Sequence, residues 1–416
     1  MKKQVLVAGG GIGGVAAALG AARAGWEVRL YERAEVFSEF GAGVQLSPNV
    51  VRCLQAWGLQ APLQAVAAFP ERLRVRCATS GDVLATLPLG GDMVQRYGAA
   101  YATIHRADLH TLLLNALAQE ANVQINLGQA ILGYTETATK TDSKTENAVL
   151  VHTSLGKDIE GDALIGADGL RSKIRAQLLA DGPPRASGHL AYRALLPQSA
   201  LPEALRSNEV TAWMGPHLHA VQYPVRGGEL QNLVVIIEGP APGDLDHWDH
   251  AANAADLERA LRGTCSALQE VVRHVCSQGH DWRLWPLSDR APVSSAAQMA
   301  SGLVALLGDA AHPMRPYLAQ GAGMAIEDAA QLQRALSMHD LDVALRLRRY
   351  ALNRWERNAR VQARAQRNGR IFHATGPVRW GRDLSMRLLG ERLLDVPWLY
   401  QGPTTGADQR PQKVQT

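Results

Sequence analysis

The chain has 416 residues, 46% of them hydrophobic and 20% charged, with a formal net charge of +4. This is globular composition with room for two domains or one elaborated domain, and the weak charge gives no global case for nucleic acid. Cys53, Cys77, Cys265 and Cys276 make no CxxC pair and no His-Cys cluster, so a reduced, cytoplasmic-type protein without structural zinc is expected.

The first 25 residues have a basic start, an apolar run and Ala22-Arg23-Ala24, as a signal peptide would. Five glycines between Gly9 and Gly14 interrupt the run and argue against that reading. No other stretch approaches the ~20 unbroken apolar residues of a membrane span. The segment reads instead as a buried strand at 4–8, a turn at 9–14, an Ala-rich helix stopped by Gly25 and a second strand at 27–31. A β-turn-α-β unit of this kind implies a parallel sheet.

Residues 72–89 alternate around Ser80-Gly81-Asp82 as a hairpin does. A helix is expected over 105–120, and a strand ending in a loop over 157–169. Residues 185–240 are strand-like, with a hairpin turn at Gly227-Gly228. An amphipathic helix is expected over 246–262 and a buried strand over 302–309. The fold class is therefore α/β: a Rossmann-like, discontinuous domain (1–69, 101–180, 281–360) interleaved with a mixed-sheet domain (70–100, 181–280). A C-terminal helical segment and polar tail (361–416) follow.

Three loops carry the chemistry. Gly9, Gly11 and Gly14 form GxGxxG between strand and helix, which brings backbone amides and a helix N-terminus to a pyrophosphate. Glu32 closes the second strand, where a carboxylate accepts hydrogen bonds from a ribose diol. This loop does not separate FAD from NAD. Asp168-Gly169 and Gly308-Asp309 each follow a further apolar strand, which is more than a nicotinamide enzyme needs.

Together these residues resemble the class A flavoprotein aromatic hydroxylases, which share the para-hydroxybenzoate hydroxylase fold. The resemblance rests on Gly9–Gly14 with Glu32-Arg33, GAGVQLSPN (41–49), HRADLH (105–110), GADG (166–169) and GDAAHPMRPYLAQGAGMAIEDA (308–329). It implies a tightly bound FAD and a transient NADH or NADPH. It also implies hydroxylation of a small aromatic acid with O2, through a C4a-hydroperoxyflavin. By the same resemblance Glu32 takes the adenosine ribose, Arg106 the pyrophosphate and Asp309 the ribityl chain. Asp168 helps hold the pyrophosphate, and Gln45 lies near the flavin.

A helix start near Gly323 leaves the amides around Gly321, Gly323 and Met324 unpaired and aimed at whatever lies before them, which the resemblance implies is the flavin pyrimidine edge. Pro313 and Pro316 stiffen the loop, with Pro316 near the reacting face. His312 suits either a structural role or that of a base. On a strand, His217, His219, Val221 and Tyr223 share one face. His219 can accept a substrate phenol's proton and Tyr223 can donate a hydrogen bond to the same ring. Tyr101 matches a position near substrate in members acting on 3-hydroxybenzoate. Several of those members carry Gln where this chain has Pro316, which tilts the expectation toward salicylate, converted to catechol with loss of carbon dioxide. 3-Hydroxybenzoate and 6-hydroxynicotinate remain as alternatives.

The basic run 345–370 suggests nucleic acid or an acidic membrane surface, but it lacks a clean apolar face. A solvated helix packed on the flavin domain is expected. The competing class is a non-catalytic FAD- or nucleic-acid-binding regulator. A monomer or homodimer is expected, with no nucleic acid, membrane or metal partner.

Overall fold

The computed structural model describes residues 2–37, 42–141, 144–240, 250–251, 254–277 and 282–403. The Val- and Leu-rich run Gln4–Ala8 forms the heart of a six-stranded sheet, because it is buried on both faces. The sheet order is Ala300–Ser301, Val304–Leu306, Ala163–Gly166, Gln4–Ala8, Glu27–Tyr31 and Val123–Asn126. All neighbours run parallel except the Ala300–Ser301 edge. The three motif loops follow three adjacent parallel strands, so their residues collect at one sheet edge, where open α/β sheets bind ligands.

Helix Ile12–Arg23 packs on helix Gly321–Leu336. Its small residues permit close approach: a Cβ on Gly20 would lie 2.9 Å from the Ala329 carbonyl oxygen. The Ala-rich composition is thus a packing requirement as well as a helix signal.

An eight-stranded sheet forms the second layer, in the order His250–Ala251, Arg283–Asp289, Arg185–Pro197, Leu230–Glu238, Leu218–Val225, Val210–Gly215, Arg72–Cys77 and Val83–Pro88. The expected hairpins at 80–82 and 226–228 are both present. Strand Arg283–Asp289 pairs here too, so the chain returns to the parallel-sheet layer after 289 rather than at 281. Of the helix expected over 246–262, only Ala254–Ala260 is found; 246–249 and 252–253 lie outside the described residues.

The basic run is one 30-residue helix, Val343–Phe372. It packs on helix Gly321–Leu336 and keeps one solvated face, but its other face is buried. Arg354 is wholly buried, and Tyr350 reaches the Leu306 carbonyl at 2.9 Å. Helix Gly376–Leu389 and two short turns, Glu391–Leu394 and Pro397–Tyr400, then fold over the large sheet. No helix among the described residues is long and apolar enough to cross a membrane.

Candidate active site

The glycine loop is held from both sides. The Gly10 amide donates to Glu32 Oε2 at 2.7 Å, and the Ala34 amide donates to Glu32 Oε1 at 2.9 Å. The Gly10 carbonyl lies 2.7 Å from His110 Nε2, on the helix that Arg106 opens. His110 is a fastening that its HRADLH setting hinted at but spacing alone did not assign. Arg33 is exposed beside Glu32.

The glycines divide into two kinds. A Cβ on Gly14 would lie 1.8 Å from the Gly9 oxygen, and one on Gly9 would lie 2.5 Å from the Ala167 oxygen. Those two let the glycine loop lie against the Asp168 loop, with Gly9 at a φ of 101°. Gly13 sits near Leu307, whereas Gly11 faces open space, as a backbone must where a phosphate approaches.

Asp168 caps the next helix through one oxygen, accepting from the Lys173 amide at 2.8 Å. Its Oδ1 is buried without a hydrogen-bond partner among the described residues. Burial raises its pKa, offset in part by those hydrogen bonds. Arg175 is buried and clamps the Ala310 and Ala311 carbonyls, at 3.1 and 2.5 Å, which ties the Asp168 loop to the Gly308 loop. Asp309 is exposed and makes no side-chain hydrogen bond among the described residues.

Helix Gly321–Leu336 begins two residues earlier than expected, with Gln320 as its cap. The Met324 amide already donates to the Gln320 carbonyl at 2.8 Å, so it is not an unpaired donor. The donors free of intrahelical partners are Gly321, Ala322 and Gly323. A Cβ on Gly323 would meet Val50 at 2.7 Å, while Gly321 faces open space. Gly323 therefore serves packing, and Gly321 is the open approach.

Behind this helix lies a buried ion network that sequence reading missed. Arg354 donates to Asp328 at 2.6 Å and to Glu327 at 2.8 Å, and Arg357 forks onto both Glu327 oxygens at 2.7 Å. His312 Nε2 lies 2.5 Å from Asp328 Oδ2, a buried contact that ties the Pro313 loop to the helix. The cations hold both carboxyls below their ordinary range against the cost of burial.

A cavity of about 450 Å³ opens between the large sheet, turn Pro316–Leu318 and the C-terminal helices. Leu73, Val75, Val210, Ala212, Met214 and Val221 make one wall; Ile371, Phe372, Met386 and Leu394 face them. Gln45, Tyr101, His219 and Pro316 all line it. The Tyr101 hydroxyl donates to Gln45 Oε1 at 2.6 Å. Tyr223 is not on the lining. It is buried beneath Gly43, where an added Cβ would lie 2.5 Å from its ring, and its hydroxyl engages Gln45 from behind. His217 is not on the strand at all: it is an exposed turn residue with φ 58°.

Arg364 and Arg382 also line the cavity. Arg382 donates to the Ile371 and Phe372 carbonyls and to Asp383, and its Nη2, ion-paired with Asp383 at 2.7 Å, makes no further hydrogen bond among the described residues. Arg364 Nε is buried without a hydrogen-bond partner among the described residues, a costly state for a polar group. Burial lowers the Arg364 pKa, with Arg367 adding to the effect.

Residues 2–368 match the FAD binding domain family. The chain belongs to that family. It is similar to the 3-hydroxybenzoate 6-hydroxylase of Polaromonas naphthalenivorans (strain CJ2), 36% identical over 399 residues and covering 95% of each chain. It is also similar to the 6-hydroxynicotinate 3-monooxygenase of Bordetella bronchiseptica, 35% identical over 365 residues, 87% of this chain and 90% of that one. Among solved structures, Klebsiella pneumoniae HpxO with FAD and uric acid superposes with a TM-score of 0.80 at 24% identity, covering 94% of each chain. A salicylate hydroxylase substrate complex gives 0.78 at 24% identity, covering 96% of this chain and 95% of that one. Both likenesses concern the fold. The protein is an FAD-dependent aromatic hydroxylase that uses NADH or NADPH as reductant. Its residues fit the cofactor: open glycines at 11 and 321, an orphaned Asp168 oxygen and an unbonded Asp309 all face one sheet edge.

Proposed function

We propose that the cavity binds a monocyclic hydroxylated aromatic carboxylic acid, its carboxylate toward Arg364 and its hydroxyl toward His219. The observation that carries this reading is that His219 and Arg364, whose Nε is buried without a hydrogen-bond partner among the described residues, line the same apolar chamber of about 450 Å³. A carboxylate would satisfy Arg364, and aliphatic walls suit a flat ring. Burial keeps His219 far below its ordinary pKa, with His373 and His189 adding to the effect, so it is neutral and able to accept a proton. Taking the phenolic proton pushes electron density into the ring, which activates its carbon for attack on an electrophilic oxygen.

Reduced FAD supplies that activated oxygen when bound. Around it, Glu32 would hold the adenosine ribose, with Arg33 at the rim. Arg106 and the Gly9, Gly11, Gly13 and Gly14 backbone would hold the pyrophosphate, helped by Asp168. Asp309, after Gly308, would hold the ribityl chain. The Gly321–Gly323 amides would face the pyrimidine edge, where developing negative charge needs donors. Gln45, oriented by Tyr101 and Tyr223, and Pro316 would flank the reacting face. Overall, NAD(P)H, O2, a proton and the aromatic acid give the hydroxylated acid, water and NAD(P)+.

For the acid itself, 3-hydroxybenzoate leads, on three relatives of that name at 34–36% identity. Salicylate is the second reading, favoured by Pro316. Its hydroxylation at the carboxylated carbon would release carbon dioxide and give catechol. A panel of hydroxylated aromatic acids, scored by substrate-stimulated NADH oxidation and by product, tests both. Turnover of salicylate alone would overturn the first, and turnover of 3-hydroxybenzoate alone the second. If no acid on the panel stimulates oxidation, the substrate class is wrong.

A further inference from the structure

We propose that His219, His373 and Glu238 form a proton relay that carries the substrate's phenolic proton from the cavity to the surface. The proposal rests on the reading that His219 faces the substrate hydroxyl. His219 Nδ1 lies 2.8 Å from His373 Nε2, and His373 Nδ1 lies 3.2 Å from Glu238 Oε1. Glu238 Oε2 in turn lies 2.7 Å from Nδ1 of exposed His217. His219 is 3% exposed and His373 4%, whereas Glu238 and His217 stand in solvent. The chain of contacts therefore begins at a cavity wall and ends in water.

The backbone holds the four residues as a unit. His219 and Glu238 are on antiparallel neighbours, strands Leu218–Val225 and Leu230–Glu238. His373 caps the C-terminus of the long helix. The left-handed turn at His217 lets its amide donate to the His373 carbonyl at 3.1 Å, and its carbonyl accept from the Glu238 amide at 3.0 Å.

One assignment of tautomers satisfies every contact. His219 carries its hydrogen on Nδ1 and donates to His373 Nε2; His373 carries its own on Nδ1 and donates to Glu238. His219 Nε2 is then an acceptor toward the cavity. When the substrate O–H bond breaks, its proton bonds to His219 Nε2. The Nδ1 proton of His219 moves to His373 Nε2, and that of His373 moves to Glu238, which releases a proton to water. Each imidazole ends neutral in its other tautomer, and no redox change occurs.

Neither ring can store the proton instead. Burial and the neighbouring His189 lower the His373 pKa to about 4, with Glu238 opposing. The groups facing the pair are His189, Tyr317, Glu238 and His217, with Arg315 and Asp289 beyond them. A metal at this cluster is disfavoured by geometry. His189, Glu238 and His373 have ligand atoms within 4.8 Å of one another, but the two rings stack at 4.9 Å and 16°. Lone pairs in near-parallel planes do not converge on one ion.

The test uses the oxidised holoenzyme without reductant, loaded with 3-hydroxy-4-nitrobenzoate, whose phenolate is coloured. A pH jump followed by stopped-flow absorbance reads proton departure apart from turnover. His373→Gln keeps hydrogen bonding but cannot exchange tautomers. It should slow the absorbance change and kcat by about tenfold or more, with KM within about twofold and added imidazole restoring the rate. Glu238→Gln, at the surface, should slow both about threefold and shift the pH profile. If His373→Gln does not fold, Glu238→Gln decides. Unchanged ionisation rates in the folded variants would overturn the relay, as would absence of ionisation in the unaltered protein. Normal relay behaviour with no hydroxylation of any acid would instead overturn the functional reading and leave the relay standing.

Discussion

The flavin-facing sheet edge and the substrate cavity are built on different terms. At the sheet edge the ligand would be met by main chain: Gly11 and Gly321 open to space, and amides are aimed by a helix start. In the cavity it would be met by side chains from many separate stretches, among them those of Gln45, Tyr101, His219, Arg364 and Met386. Backbone recognition constrains residue type, since only glycine fits. Side-chain recognition constrains position, and many residue types will serve. The first leaves marks within single loops, whereas the second is scattered, so Gln45, Tyr101, His219 and Pro316 were legible and Arg364 and Met386 were not.

The largest effect should come from the buried network that supports the sheet edge. Arg354→Met would leave Glu327 and Asp328 without their buried partner, and should cost about 3–5 kcal/mol in thermal or urea unfolding. A loss under about 1 kcal/mol would show that Arg357 and His312 suffice to hold the carboxylates.

Next is the base. His219→Gln should lower kcat by about 10²- to 10⁴-fold with FAD content unchanged. Retained kcat would remove His219 from the chemistry. Arg364→Met should raise KM for the acid by about 10- to 100-fold with a smaller change in kcat, the mark of ground-state binding of a carboxylate. An unaltered KM would place the carboxylate elsewhere.

The two kinds of glycine give a sharper contrast. Gly14→Ala should prevent folding of the loop, because its Cβ would strike the Gly9 oxygen at 1.8 Å. Gly11→Ala meets nothing and should fold, yet weaken FAD retention at least about tenfold by ultrafiltration. Equal behaviour of the two would erase the distinction.

The smallest expected effect is on stability against pH. His373 folds with a pKa near 4 against about 6.5 when unfolded, so the unfolded chain binds the proton first. Stability should fall as pH drops through that window. His373→Gln should flatten the slope there, as read from unfolding midpoints at several pH values.

The parallel arrangement at the sheet edge and the two hairpins of the large sheet were legible in the sequence, because each is signalled within about thirty residues. Met324 was misread, since a helix start displaced by two residues moves the free amides. His217 was misread because its left-handed turn breaks the strand period. Tyr223 was placed on the correct strand face, but the chamber ends at Val221 and Gln45. The C-terminal wall, Arg364 and the Arg354 network stayed hidden. They depend on one long helix crossing both layers, and its basic composition points to solvent rather than to a buried cation.

The central claim is that this cavity directs oxygen from O2 onto a hydroxylated aromatic acid. It is tested most directly by turnover under ¹⁸O-labelled O2, with product mass and NADH consumption measured together for 3-hydroxybenzoate and salicylate. The account predicts one labelled oxygen in the phenolic product per NADH consumed, lost in His219→Gln. Hydrogen peroxide as the sole oxygen product with both acids, and no label in any aromatic product, would contradict it.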